Sequence, residues 1–214
     1  MKKDFLDEKY EGFISYFEKK MPVAESELKF ENPYQLVVAV ILSAQCTDKR
    51  VNMTTPAFFE RFPDAKSLSE ACVEDVFEYI KSISYPNNKS KNLVGMARTL
   101  MSEFGGVVPS DVDELQKLPG VGRKTANVVT AVAFGNAAMP VDTHVFRVSA
   151  RIGLTQNCKT PLETEKQLVA HIPAPILSKA HHWLILHGRY VCIARKPKCE
   201  ECGIKAICDY YNKV

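Results

Sequence analysis

No apolar run among the 214 residues approaches the roughly 20 that a membrane-spanning helix needs, so no span is expected. Neither sign of charge is in excess: 28 Lys and Arg stand against 25 Asp and Glu, a net +3, with a sequence pI near 8.4. A globally basic nucleic-acid binder is excluded, and any grip on phosphates has to come from local clusters. Between Val51 and Phe104 no stretch alternates apolar and polar residues as a half-buried strand does, and with helical signals elsewhere an all-α chain is expected. Met1-Lys2-Lys3-Asp4 meets an acid at once and lacks the apolar core of an export signal. A cytoplasmic location is therefore expected, and disulfides are not. What the chain does have is 46% hydrophobic residues, enough to bury the core of one large domain or two small ones.

Helical signals run along the whole chain. Phe5, Leu6, Tyr10, Phe13, Ile14 and Phe17 repeat at three and four residues, the spacing of an amphipathic helix that Pro22 ends. Asn32-Pro33 reads as a cap with proline in the first turn, feeding an apolar run from Leu36 to Leu42 that should form a buried centre. Several short helices are expected between Val51 and Phe104, separated by Pro56, Pro63 and Pro86, with Ser67 and Glu70 as a capping box. Ser84 to Lys91 reads as a polar, basic loop with one aromatic, Tyr85, a combination that can wedge into stacked bases. Thr160-Pro161-Leu162-Glu163 announces a helix ending near Pro173. A last one should run from about Ser178 to His187 and stop at Gly188.

Seven cysteines divide unevenly. Cys46, Cys72 and Cys158 are scattered and expected to be buried thiols. Cys192, Cys199, Cys202 and Cys208 leave gaps of six, two and five residues. In a chain without disulfides such crowding points to a metal centre. Zinc usually takes two short-spaced pairs far apart, whereas here one Cys-x-x-Cys is flanked by single cysteines. The spacing favours a [4Fe–4S] cluster and leaves zinc open. Between the first two cysteines lie Arg195, Lys196 and Lys198, three cations on a loop pinned at both ends. A loop so anchored has little entropy to lose on meeting a phosphate.

The densest stretch runs from Leu115 to His144. Leu118-Pro119-Gly120-Val121-Gly122 sits between a short helix, signalled by Ser110 and Asp113, and a longer one from Arg123 to about Phe134. Two glycines one residue apart can take φ > 0 and bring backbone N–H groups up to an anion, where the next helix adds its own unpaired N–H groups. Arg123 suits a phosphate backbone. Lys124 follows in the first helical turn, where the helix dipole opposes positive charge and favours the neutral amine, the form that makes a Schiff base. Asp142 is a natural N-cap for a helix running to Ile152.

Leu118 to Ala126, followed by Val141-Asp142-Thr143-His144, resembles the helix-hairpin-helix, Gly/Pro-rich loop and aspartate signature of the DNA glycosylase superfamily. The lysine narrows the resemblance to its bifunctional endonuclease III branch, and the cysteine spacing agrees. What the resemblance implies is a helix-hairpin-helix glycosylase fold of two helical lobes with a cleft between them. Residues 24–134 would form a central domain, and 1–23 plus 135–214 a cluster domain. Lys124 and Asp142 would meet in the cleft as nucleophile and carboxylate partner, Cys192, Cys199, Cys202 and Cys208 would hold the [4Fe–4S] cluster, and Arg195, Lys196 and Lys198 would lie on the family's DNA-binding loop. Gln45, in Ser43-Ala44-Gln45-Cys46, would fill the gap left by an extruded nucleotide, and Tyr85 would take the wedge position. The chain departs there, because the family commonly carries Gly-Leu-Tyr-Asn where this sequence has Ser84-Tyr85-Pro86-Asn87. The implied activity is excision of oxidised pyrimidines from double-stranded DNA with β-elimination at the abasic site, by a monomer. Tyr85 suggests adenine excision opposite oxidised guanine as a rival reading. A non-catalytic DNA-binding or electron-transfer protein is a second.

Overall fold

The computed structural model describes residues 5–212, and among them every regular element is a helix. In chain order these are α1 (Phe5–Lys20), α2 (Pro33–Ser43), α3 (Asp48–Arg61), α4 (Ala65–Ser69), α5 (Val73–Ile80), α6 (Pro86–Phe104), α7 (Val112–Leu115), α8 (Arg123–Phe134), α9 (Thr143–Ile152), α10 (Pro161–His171), α11 (Leu177–Tyr190) and α12 (Asp209–Asn212). None is long and apolar enough to cross a membrane. Met1 to Asp4, on which the expectation about export rests, lie outside the described residues.

The helices fall into two compact units, Ser26–Gly135 on one side and Met1–Glu25 with Asn136–Val214 on the other. In the first, α2 begins where the sequence placed it: Asn32 caps it, accepting from the Gln35 N–H at 3.0 Å, with Pro33 in the first turn. Every residue from Tyr34 to Leu42 is buried. A helix apolar all round can only be a core helix, and each fully buried aliphatic side chain stabilises the fold by about 1.5–3 kcal/mol. Helices α3, α6 and α8 pack around it, and α6 also lies along α4 and α5.

The second unit explains why the N-terminal helix belongs with the C-terminal half. Phe13 and Phe17 of α1 pack on Trp183 of α11, with ring centroids 5.9 and 5.8 Å away. The Trp183 indole donates to the Met21 carbonyl at 2.9 Å, and the Tyr10 hydroxyl to that of Leu154 at 2.6 Å. Lys9, almost wholly buried, pairs with Asp209 and so ties α1 to α12.

Several punctuation marks fall elsewhere than the sequence suggested. Pro56 does not separate helices but lies inside α3, where it has no N–H to give Asn52; packing of Val51, Thr54, Thr55 and Phe58 against the core outweighs that loss. The capping box at α4 uses Asp64 and Ser67 rather than Ser67 and Glu70, and Asp111 rather than Ser110 caps α7. The expected basic loop at 84–91 is one residue of left-handed turn, Tyr85, after which Pro86 starts α6 at once. Gly188 does not stop α11. A Cβ there would stand 3.0 Å from the side chains of His144 and Val148, so the glycine lets α9 and α11 approach closely. Of the scattered cysteines, Cys72 is exposed and caps α5 through its sulfur, while Cys46 and Cys158 are half-buried.

Candidate functional site

The hairpin between α7 and α8 is built as the sequence suggests, but its two glycines do different work. Gly120 is held at φ +82, and a Cβ there would stand 2.9 Å from the Asn92 Cβ on α6. Both the backbone and the space demand glycine. Gly122 is extended, at φ −86, and caps α8 with no side-chain partner. Nothing lies within 4 Å of where its Cβ would be, so no side chain at this position obstructs approach to the first turn of α8. Leu118 is buried and offers only its main chain. Arg123 and Lys124 follow on the exposed first turn of α8.

Helix α6 carries more than the hairpin's support. At its start stands Tyr85, 61% exposed and at φ +56. One turn on, Lys89 is 5% exposed, and its ammonium donates to the carbonyls of Leu42 at 2.8 Å and Ala44 at 2.6 Å. Those carbonyls close the C-terminal end of α2 and lead straight into Gln45, exposed at φ +54. Burial draws the Lys89 pKa below that of an ordinary lysine, with Cys46 pulling the other way. Three residues further, Asn92 backs Gly120. One helix therefore sets Tyr85, the Gln45 turn and the hairpin.

Backbone strain marks the same places. Among the described residues four non-glycines have positive φ: Gln45, Tyr85, Asn157 and Lys196. Such a conformation costs about 1–3 kcal/mol each and persists where surrounding structure imposes it, often at functional sites. Three of the four were singled out from the sequence for contact with DNA.

In the other unit, Asp142 caps α9, its Oδ1 accepting from the N–H groups of His144 and Val145 at 2.8 Å each. The carboxylate is thus fixed in direction and half-buried. Cys192, Cys199, Cys202 and Cys208 line one cavity with Ile152, His187, Val191 and Ile204. Among the described residues no three His, Cys, Asp or Glu side chains converge as a single metal ion would require. Four thiols around one apolar-walled space without a common focus suit a polynuclear cluster, in which each thiolate takes its own iron. Burial first, and then the neighbouring thiols, push Cys199 and Cys202 above the ordinary thiol pKa, a shift that cationic iron would oppose. The residues present fit the group.

The surroundings of the cysteines contain residues that sequence reasoning missed. Arg151 donates to the carbonyls of Ile193 at 2.9 Å and Ala194 at 3.0 Å, lies 3.5 Å from the Cys192 sulfur, and stacks on Tyr210. Arg147, one turn earlier on α9, reaches the carbonyls of Cys192 and Gly188 at 3.2 and 3.0 Å. Their spacing of four on an amphipathic helix was the available signal. His187 lies 3.6 Å from the Cys202 sulfur, and burial lowers its pKa to about 4. Beyond Cys192 the loop turns back, the Lys198 N–H donating to Val191 at 3.0 Å, and leaves Arg195, Lys196 and Lys198 exposed.

Residues 38–174 match the model of the HhH-GPD superfamily base excision DNA repair protein, and residues 192–208 that of the iron-sulfur binding domain of endonuclease III. The chain is 49% identical over 196 residues to endonuclease III of Rickettsia felis, covering 92% of each. It is 45% identical over 193 residues to that of Escherichia coli K12, covering 90% of this chain and 91% of that one. A solved structure of a trapped endonuclease III–DNA covalent intermediate has a TM-score of 0.91 at 42% identity, covering 97% of each chain. Hairpin, helical fold and matches together define a helix-hairpin-helix base-excision DNA repair protein. Within that class the chain belongs to the endonuclease III family. It is a DNA glycosylase with abasic-site lyase activity, and its cofactor is a [4Fe–4S] cluster.

Proposed function

We propose that this glycosylase excises oxidised pyrimidines from double-stranded DNA and cuts the strand through a Schiff base on Lys124. What carries the reading is Lys124 on the exposed first turn of the helix that opens from the Gly120–Gly122 hairpin. A hairpin that binds the backbone phosphates sets the amine at a fixed place along the strand. Gln45, Tyr85, Leu118, Gly120, Gly122, Arg123, Arg195, Lys196 and Lys198 make up the DNA-contacting set, with Leu118 contributing main chain only. The left-handed backbone at Gln45, Tyr85 and Lys196 supports it.

The reaction follows from two groups. The damaged nucleotide leaves the stack, and Gln45 and Tyr85 occupy the space it vacates. Asp142 accepts a proton from the Lys124 ammonium and releases it to solvent; as the carboxylate thus restored, it stabilises the positive charge that grows on the sugar as the base departs. The Lys124 Nζ forms a bond to C1′; the glycosidic bond breaks, and its electron pair leaves with the base, which takes up a proton. Ring opening gives an imine, which acidifies the 2′ hydrogen. Its removal sends electrons toward C3′, where the C–O bond to the phosphate breaks. Only an amine nucleophile gives access to that second step. Cys192, Cys199, Cys202 and Cys208 would hold the [4Fe–4S] cluster, which when bound braces the loop bearing Arg195, Lys196 and Lys198. The chain acts as a monomer, in the cytoplasm where bacterial DNA is reached. Tyr85 favours one alternative, adenine removal opposite oxidised guanine. Duplexes bearing either lesion, incubated with the purified holoenzyme, separate the two: cleavage of the oxidised-pyrimidine strand with a β-elimination end supports the proposal, and cleavage confined to adenine opposite oxidised guanine overturns it.

A further inference from the structure

We infer that Lys89 is a positioning residue that locks the Gln45 turn to the Tyr85 turn, so that both stack-filling side chains are presented as one rigid device. The inference rests on the proposed reading of Gln45 and Tyr85 as DNA contacts. Lys89 is buried, at 5% exposure, and its two side-chain bonds go to main-chain carbonyls, Leu42 at 2.8 Å and Ala44 at 2.6 Å. Its own N–H donates to the Tyr85 carbonyl at 3.2 Å. One residue therefore touches the left-handed turn at Tyr85 through its backbone and the residue before the left-handed turn at Gln45 through its side chain.

Burying a charged amine is unfavourable, and its bonds here go to carbonyls rather than to a carboxylate. An apolar side chain of the same length would fill this space, but it would leave the buried Leu42 carbonyl without its donor, a loss offset by no longer burying a charge. What such a side chain could not do is hold the Ala44 carbonyl, and with it the Gln45 backbone, at a fixed distance from α6. The Thr54 hydroxyl, 3.3 Å from that of Ser82, adds a second tie between α3 and the segment leading into Tyr85. That contact does not touch the Leu42 or Ala44 carbonyl and so cannot replace Lys89. The device matters before the chemistry, at extrusion: a side chain displaced by ~1 Å can lose about 100-fold in rate, whereas a lyase step on a flexible single strand has no stack to open.

Lys89→Met tests this. Expected are a protein that still unfolds cooperatively above the assay temperature and duplex excision down roughly 10- to 100-fold, with cleavage of a single-stranded abasic oligonucleotide unchanged. The cycle with Gln45→Ala is the second readout: if Lys89 acts through Gln45, the double variant is no slower on duplex than the slower single one. Lys89→Gln, neutral and one bond shorter, keeps a donor and gives a folded comparison if the methionine variant does not fold; it should show the same split more weakly. Equal losses on duplex and single strand, additive losses in the cycle, or native-like duplex activity each overturn the proposal. If Gln45→Ala and Tyr85→Ala both leave duplex excision intact, the reading of the turns as DNA contacts fails, and the proposal with it; if only the Lys89 variants are silent, that reading stands.

Discussion

Gly120→Ala separates two demands that the hairpin makes on one residue. An alanine at φ +82 pays the left-handed penalty of about 1–2 kcal/mol. Its methyl would also stand 2.9 Å from the Asn92 Cβ, against a comfortable carbon–carbon separation of about 3.5–4.0 Å. That obstacle is the root of a side chain on a packed helix, so it cannot swing aside, and relieving the overlap costs about 1–3 kcal/mol. The sum is about 2–5 kcal/mol, a large share of the roughly 5–15 kcal/mol that holds a typical fold together. Urea unfolding followed by circular dichroism measures it. Adding Asn92→Gly should return the overlap share and leave the backbone share, offset by about 1 kcal/mol for a glycine inside a helix. Gly122→Ala is the contrast, since its φ is ordinary and its Cβ site is open. It should change stability by less than about 1 kcal/mol while weakening binding to duplex DNA. A loss below about 1 kcal/mol in Gly120→Ala, or equal losses at the two glycines, would refute the assignment of turn to one and ligand approach to the other.

Arg151→Met removes both carbonyl bonds to Ile193 and Ala194; retained iron after dialysis against a chelator should fall, with apparent affinity down about 10- to 100-fold and helix content unchanged. For His182, burial is the main cause of a pKa below the usual 6.5, opposed by its bond to the Ser178 carbonyl and the charge of Glu25. The unfolded chain therefore binds a proton that the folded chain refuses just below pH 6.5. Stability falls as pH drops through that window, and His182→Gln should lose less of its urea midpoint between pH 7 and pH 5 than the native chain.

The sequence made the site's chemistry more legible than its supports. Asn32-Pro33, the Thr160–Glu163 box and the Asp142 cap act within a few residues of themselves, so local patterns reveal them. The four C-terminal cysteines were visible for the same reason, their spacing being short. Lys89 was not, because a lysine in a polar stretch reads as solvated until the end of α2, 45 to 47 residues earlier in the chain, is seen to accept from it. Gly188 read as a stop because a glycine's role in helix packing depends on His144 and Val148 from another helix. Left-handed conformations at Gln45 and Tyr85 carry no residue-type signal at all; tertiary contacts impose them.

Borohydride reduction of the holoenzyme on a duplex with one oxidised pyrimidine tests the lysine chemistry most directly. The native chain should give a covalent protein–DNA adduct together with strand cleavage, Lys124→Ala neither, and Asp142→Asn a much slower adduct. A native chain that binds this duplex yet neither traps nor cuts it, or an adduct undiminished in Lys124→Ala, would contradict the Schiff-base mechanism assigned to Lys124.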